Sequence, residues 1–237
     1  MINEYAALYS EKEGGFSKKL ATNLFAFLKD RHYRVKSVLD VACGTGEFCA
    51  VMGNGCQDVV GIDFEKAMID VAKRQVPDAK FEVKPLFEFD MGRKFDLVSC
   101  NYETVNFALD YEQLSKLFRN IAEHLEGGGI FVFDFKTPNG TTKDEFVFEE
   151  GTNFDYVKDV SSNGAEYKKH EIFYEATKTN YHKIVNDELR RVWDINDVKR
   201  ALEAAGFVNE NWINYDLEVL KNTKKCDRIH CLCYLRK

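Results

Sequence analysis

The sequence predicts an α/β fold built on a doubly wound, mainly parallel sheet. Short apolar strands alternate with helices between residues 37 and 135. Their connections are short, and the first strand runs into a glycine-rich turn, Cys43-Gly44-Thr45-Gly46. Such alternation builds βαβ units whose right-handed crossovers place helices on both sheet faces. With 237 residues, 45% hydrophobic and 30% charged, the chain can bury a sizeable core without disulfides or metals. Only 3 Pro and 15 Gly argue against disorder.

Each element has a local reason. Residues 17–31 place Leu20, Leu24, Phe27 and Leu28 at helical spacing, which predicts an amphipathic helix. Residues 37–41 and 58–62 read as apolar strands, with a helix over 47–52 between them. A helix over 65–75 is closed by Pro77, and a third strand spans 80–83. A fourth strand (95–100) leads to a helix over 111–125, which Gly127-Gly128-Gly129 is expected to stop. A fifth strand covers 130–135. From 146 to 185 the chain is rich in Phe, Tyr, Val, Ile and Thr with turn signals between, which predicts two or more antiparallel strands inserted into the fold. Asp194 can cap a helix that Gly206 stops, and strands over 207–215 and 227–235 complete the chain.

A net charge of −6 argues against a protein held to nucleic acid by bulk charge. The N-terminus has no basic region followed by an apolar run, and no apolar stretch is long enough to span a bilayer. The 7 cysteines are expected to be free thiols, which fits a cytoplasmic location. Cys231 and Cys233 lie two apart on a strand beside Ile229 and Leu235, so an apolar face is favoured over a zinc site, and no metal is expected.

The strongest chemical signal is the run 38–46 (VLDVACGTG), with Asp63 after the next strand. Glycines let backbone approach a ligand closely, and such sheets bind ligands beyond the carboxyl ends of their strands. A carboxylate at Asp63 can accept hydrogen bonds from both ribose hydroxyls, so the ligand reads as an adenosine. A dinucleotide would call for a third glycine where Cys49 stands. Asp40 adds a negative charge that suits a cation rather than a pyrophosphate. The balance favours S-adenosylmethionine, with its sulfonium and α-ammonium, over a nicotinamide or flavin cofactor.

The chain resembles the class I S-adenosylmethionine-dependent methyltransferases. The resemblance rests on 39–48 (LDVACGTGEF), 60–74 (VGIDFEKAMIDVAKR), 94–109 (KFDLVSCNYETVNFAL) and 118–135 (FRNIAEHLEGGGIFVFDF). Within that family it is similar to the small-molecule branch, such as amino-sugar N,N-dimethyltransferases and glycine/sarcosine-type enzymes. The resemblance implies a Rossmann-like seven-stranded sheet of order 3-2-1-4-5-7-6, strand 7 antiparallel, with an N-terminal helical lid and a β insertion. A single domain, 1–237, would then comprise lid helices (1–34), a donor-binding core (35–136), an insertion that caps the acceptor (137–193) and a C-terminal helix with two strands (194–237).

By that resemblance, Asp40, Ala42, Cys43, Gly44 and Gly46 surround the methionine tail, and Asp63 is the ribose acid. Phe64 and Met68 match apolar residues against the adenosine, and Asn101 and Tyr102 the floor near the sulfonium. Tyr5 and Tyr9 match lid tyrosines. Many relatives carry an Asp-Met pair after the third strand, whose Asp takes the adenine N6. Pro85-Leu86 stands there instead, leaving the backbone at Leu86 and Phe87 as the adenine contact.

The function implied is methyl transfer by in-line displacement to a nitrogen or oxygen of a small molecule, leaving S-adenosylhomocysteine. The protein's part is alignment and exclusion of water. A base is required only for an acceptor protonated at neutral pH or a weakly acidic hydroxyl. Tyr9 and Glu103 are the catalytic candidates, with Asp134, Lys136, His170 and His182 behind them. His124, on the helix before the glycines, reads as structural. Phe148, Phe154, Tyr156, Phe173, Tyr174 and Trp193 are candidate acceptor-pocket residues, or else a dimer interface, so monomer and homodimer both remain open. Asn101-Tyr102-Glu103-Thr104 is not the Asn-Pro-Pro-Tyr of base-amino methylation, and no Pro-Cys nucleophile occurs. Lys221, Lys224, Lys225 and Arg228 read as a solvated basic loop. Two alternatives stand beside the first reading: a tRNA or protein methyltransferase, and a non-catalytic S-adenosylmethionine-binding protein.

Overall fold

The computed structural model describes residues 2–141, 144–177 and 180–237. Its main sheet comprises β1 (Ser37–Val41), β2 (Asp58–Asp63), β3 (Lys80–Val83), β4 (Phe95–Cys100), β5 (Leu125–Lys136), β10 (Phe207–Ile213) and β11 (Arg228–Leu235). The strand order is β10-β11-β5-β4-β1-β2-β3, and β11 runs antiparallel to both neighbours. This is the expected 3-2-1-4-5-7-6 order.

Helices α1 (Ile2–Asp30), α2 (Glu47–Met52) and α3 (Lys66–Gln75) cover one face, burying Leu24, Met52 and Ile69. Helices α4 (Tyr111–Glu123) and α5 (Ile195–Ala204) cover the other with Leu117, Phe118 and Leu202. Asp110 and Asp194 cap α4 and α5 by accepting from Gln113 N and Asn196 N. Cys231 and Cys233 pack in the apolar core with Ile229, while Leu232 faces the opposite side.

Two local expectations are corrected, at the N-terminal helix and at the three glycines, and the expected antiparallel insertion is found. The N-terminal segment is one 29-residue helix rather than several, and it runs through Gly14-Gly15. Packing overrides propensity there: a Cβ on Gly14 would meet Glu47 Oε1 at 2.8 Å. The three glycines do not cap α4, which ends before them; they enter β5. Gly128 takes φ +86° and a Cβ on Gly129 would lie 3.2 Å from Asp96 O, so they serve an irregular strand entry. The insertion forms its own four-stranded antiparallel sheet, β6 (Glu145–Glu149), β7 (Phe154–Ser162), β8 (Glu166–Ala176) and β9 (Tyr181–Arg191), paired in that order. Its inner face buries Tyr156, Phe173 and Ile184 against Tyr5 and Leu8 of α1 and Met68 of α3. The insertion is thereby set above the carboxyl ends of the main strands.

Candidate functional site

The site is built where β1, β2 and β4 end beneath α1 and the inserted sheet. After β1 the chain turns through Ala42 (φ 58°), Gly44 (φ 54°) and Gly46 (φ 88°). The two glycines do different work. A Cβ on Gly46 would press on Phe81 at 3.0 Å, so this glycine allows α2 to pack. A Cβ on Gly44 would meet only Tyr9 Cε1, at 3.9 Å, so Gly44 keeps space open.

Asp63 is buried and holds this loop: its Oδ2 accepts from Gly44 N and its Oδ1 from Glu65 N, both at 2.9 Å. Burial raises its pKa, and these backbone bonds oppose the shift. Asp40 is buried beside it, accepting from Ser99 Oγ at 2.7 Å. Burial pushes its carboxyl up to about 7, against the hydrogen bonds from Ser99 and Cys49.

Two small cavities meet this loop. The inner one, ≈ 30 Å³, is bordered by Asp40, Cys43, Gly44 and Asn101, with Glu13 and Tyr9 of α1 opposite. Both polar side-chain atoms of Asn101 are buried there without a hydrogen-bond partner. The second, ≈ 60 Å³, runs from Ala42, Asp63, Phe64 and Met68 to Tyr5, Tyr9 and Tyr102. It also reaches Glu65, Thr104, Phe107, Glu188 and Arg190. Beyond Tyr5 and Glu65, which border both spaces, an open cleft of ≈ 490 Å³ lies between the start of α3 and β9.

Tyr102 and Glu103 both take left-handed backbone, φ 63° and 59°. Such residues cost about 1–3 kcal/mol each and persist only where their surroundings hold them. Asp134, fully buried, does so by accepting from Tyr102 N at 2.6 Å and Glu103 N at 3.0 Å. It also accepts from Arg228 Nε at 2.6 Å. Arg228 stacks over Phe16 and Tyr102 and lies 3.6 Å from Glu103. Glu103 accepts from Tyr167 Oη at 2.8 Å and faces Arg190 at 3.5 Å.

This network weighs against Glu103 and Tyr9 as general bases. Burial would raise the Glu103 carboxyl, but Arg228, Arg190 and Lys136 outweigh it and hold it at about 2. Glu103 is an ion-paired anchor and a weak base. The Tyr9 phenol is pushed well above its ordinary value, chiefly by burial, so it stays neutral and does not become the phenolate that a base would need to be. Asp134 has its lone pairs engaged as described, and the Lys136 ammonium lies over the Tyr167 ring. His170 sits with Asp187 on the outer side of the inserted sheet, and His182 lies near Glu175 at the start of β9. His124 bridges Asn120 O and Met91 N, away from the cavities.

Other placements differ from expectation. Leu86 and Phe87 pack into the core and border neither cavity. Trp193 is a core residue, and Phe148 is 58% exposed on the outer face. Phe154, Tyr156 and Phe173 pack with Tyr5. Arg228 leaves the supposed basic loop for the floor of the site.

Glu65, Glu188 and Arg190 went unnoticed in the sequence. Asn186, Glu188 and Arg190 are spaced by two on β9, a pattern that reads equally as a solvated face.

Residues 38–129 match a family model described as "Methyltransferase domain". The dTDP-4-amino-2,3,4,6-tetradeoxy-D-glucose N,N-dimethyltransferase of Saccharopolyspora spinosa is 29% identical over 130 residues, 55% of this chain and 52% of that protein. The dTDP-3-amino-3,4,6-trideoxy-alpha-D-glucopyranose N,N-dimethyltransferase of Streptomyces venezuelae is 31% identical over 114 residues, 48% of each chain. The chain thus spans about half the length of the curated relatives it matches. Among solved structures, an S-adenosylmethionine-dependent methyltransferase from Clostridium acetobutylicum superposes with TM-score 0.86 at 18% identity, covering 99% of both chains. A sugar N-methyltransferase from Streptoalloteichus does so with TM-score 0.80 at 24% identity, covering 98% of this chain and 92% of that one. These likenesses show a shared fold.

Proposed function

We propose, on the premise that residues 38–129 are a methyltransferase domain set in a class I methyltransferase fold, that the chain methylates an amine on a small molecule, an amino sugar in the first instance. The observation that carries the donor site is Asn101, whose buried amide has no partner in a cavity it shares with Asp40. Buried polar groups are almost always satisfied, so this orphaned amide suits hydrogen bonding to a ligand.

S-adenosylmethionine would supply an activated methyl on a sulfonium. Asp63 has lone pairs left for ribose hydroxyls after its two backbone bonds. Asp40 meets a cationic α-ammonium, whose charge draws the carboxyl back toward its ionised form. Gly44 leaves room for that tail, and Asn101 and Tyr102 floor the reacting centre. Ligand pockets generally span about 300–1,000 Å³, so α1, which carries Tyr5 and Tyr9, has to part from the loop to admit the donor. The open cleft beyond Tyr5 gives the acceptor its approach. Glu65, at the junction of cleft and cavity, is the carboxylate placed to take the ammonium proton.

The amino-sugar assignment draws on what the two dimethyltransferases are named for. The alternatives of a tRNA or protein acceptor call for a charged groove, whereas the cleft sets Tyr5, Ala67, Ile184 and Val185 beside Glu65, Lys66 and Lys183.

The test has two parts. Incubation with S-adenosylmethionine and a dTDP-amino-deoxy sugar should yield methylated amine and S-adenosylhomocysteine. Asp63→Ala should weaken S-adenosylhomocysteine binding by roughly 10–100-fold in calorimetry, the loss of charge-assisted hydrogen bonds. Unchanged affinity refutes the ribose assignment. Donor binding without turnover on any amine refutes the catalytic reading.

A further inference from the structure

We infer, resting on the acceptor route proposed above, that Glu188 is a specificity-determining residue. By neutralising Arg190 it turns the acceptor chamber against amines that carry a carboxylate on the carbon beside the nitrogen. The chamber thereby selects amino alcohols and amino sugars over α-amino acids.

The chamber is the ≈ 60 Å³ cavity that shares Tyr5 and Glu65 with the open cleft. Among the described residues that border it, Asp63, Glu65 and Glu188 are acids and Arg190 is the one base. An α-amino acid brings an ammonium and a carboxylate one carbon apart. Its ammonium suits Glu65. Its carboxylate needs a cation within reach, and Arg190 is the group on offer.

Arg190 is already committed. It is buried, with Nη2 2.6 Å from Glu188 Oε2 and Nη1 3.5 Å from Glu103 Oε2. Nη1 also donates to Tyr102 O at 3.4 Å, and the guanidinium lies over the Phe107 ring at 4.4 Å. Two carboxylates thus face one guanidinium and leave no net positive charge for a third.

Glu188 is held in its turn. It pairs across the sheet with Lys169 of β8, whose Nζ lies 3.2 Å from Glu188 Oε2, and Asn186 Nδ2 donates to Glu188 Oε1 at 3.1 Å. Burial would raise the Glu188 carboxyl, but Arg190 and Lys169 outweigh it, so Glu188 is ionised near neutral pH. Lys169 is itself shared with the buried Glu171, at 3.0 Å. Glu171, Lys169, Glu188, Arg190 and Glu103 therefore alternate in sign, and each cation stands between two anions. Buried ion pairs add little net stability over apolar packing, so stability alone does not account for such a ladder beside a cavity. Its consequence for a ligand is direct. An incoming carboxylate would lie beside Glu188 with no cation to compensate it, and like charges repel strongly out of water.

The exclusion is local. Lys66 and Lys183 border the open cleft and not the chamber. An anionic group remote from the reacting nitrogen is therefore tolerated, and one beside it is not. A hydroxyl beside the nitrogen can donate to the chamber's carboxylates. Arg190 Nε is buried without a hydrogen-bond partner, so it is the donor a carboxylate would take once Glu188 is neutral.

Serinol and L-serine test this, because they share one skeleton and differ in a hydroxymethyl against a carboxylate. Ligand-observed NMR titrations near neutral pH compare them on the full chain in the presence of S-adenosylhomocysteine. The wild type should bind serinol at least about 10-fold more tightly than serine, a modest value for a like-charge clash. Glu188→Gln keeps the shape and frees Arg190, so it should narrow that ratio by about 10-fold or more through a gain in serine affinity. Serine binding as tightly as serinol in the wild type overturns the inference without recourse to a variant. A ratio unchanged in Glu188→Gln, with circular dichroism like that of the wild type, overturns the assignment to Glu188. Binding of neither probe overturns it too, since the chamber then takes no small amine. Turnover is scored separately. Selective binding of serinol without methyl transfer refutes the methylation reading and leaves the selection standing, whereas equal kcat/KM on both amines upholds methylation and refutes the selection.

Discussion

Asp134→Ala should cost the folded protein about 3–5 kcal/mol, the usual loss when one partner of a buried ion pair is removed. The carboxylate is fully buried and makes three hydrogen bonds at 2.6–3.0 Å, two to backbone and one to Arg228. Without it, two left-handed residues lose what pins them, and among the described residues Arg228 keeps only Glu103 as an anionic partner. For a chain of this length the melting temperature should fall by roughly 10 °C. Urea denaturation, with the midpoint lowered and the slope unchanged, measures it. A loss under about 1 kcal/mol would mean that the turn at Tyr102 holds itself, contrary to the strain argument.

The same network sets an acid limit. The Glu103 carboxyl sits at about 2, against 4.5 ordinarily. A depressed folded-state value contributes stability that is complete above the ordinary value and is lost as pH falls through the depressed one. Acid unfolding should therefore draw on this group between about pH 4.5 and pH 2.

The legibility of this protein divides along the chain. The main sheet was readable because β1, β2, β4 and β5 carry apolar runs, and helices intervene between β1 and β2, β2 and β3, and β4 and β5, the pattern of a parallel sheet covered by helices. Its order and the antiparallel last strand came through family resemblance, which rests on several motifs in sequence. Asp40, Gly44 and Asp63 were readable because one loop and the next strand end carry them. The inserted sheet was not. There a side chain's direction depends on parity, and one residue's shift exchanges inside for outside. Tyr156 is buried at 2% exposure while Phe148 is 58% exposed, although both are aromatic and equally plausible pocket residues in sequence. Glu188 and Arg190 are hidden by the same ambiguity. Arg228 sits among Lys224, Lys225 and Asp227, so local composition argued for solvent. Only the pairing of β11 with β5, which sets Arg228 opposite Lys136 near Asp134, reveals it as part of the floor. The three glycines misled for a related reason: glycine signals a break in regular backbone, and a helix stop and an irregular strand entry both provide one.

Glu65→Gln should lower kcat on an amine acceptor by about 10²-fold near pH 7, the low end of general-base contributions. The sequence-based candidates are poor bases for the reasons of charge and burial already given. Glu65 differs from both. It borders the donor cavity and the open cleft, and burial followed by the charges of Asp63 and Glu188 raises its pKa. No described lysine or arginine pulls that value back down. A raised carboxylate accepts a proton more readily at neutral pH, which an alkylammonium must shed before its lone pair can attack. The sign of the pH dependence follows. Above the pKa of the acceptor's own amine, the substrate arrives unprotonated and the base is no longer needed. The deficit of Glu65→Gln should therefore shrink as pH rises, while S-adenosylhomocysteine affinity stays near that of the wild type. The matched control is Glu103→Gln, which should lose stability with the Arg228 and Arg190 pairing rather than show this pH-dependent rescue. A Glu65→Gln deficit that is constant with pH and accompanied by weaker donor binding would instead assign Glu65 to positioning the ribose beside Asp63.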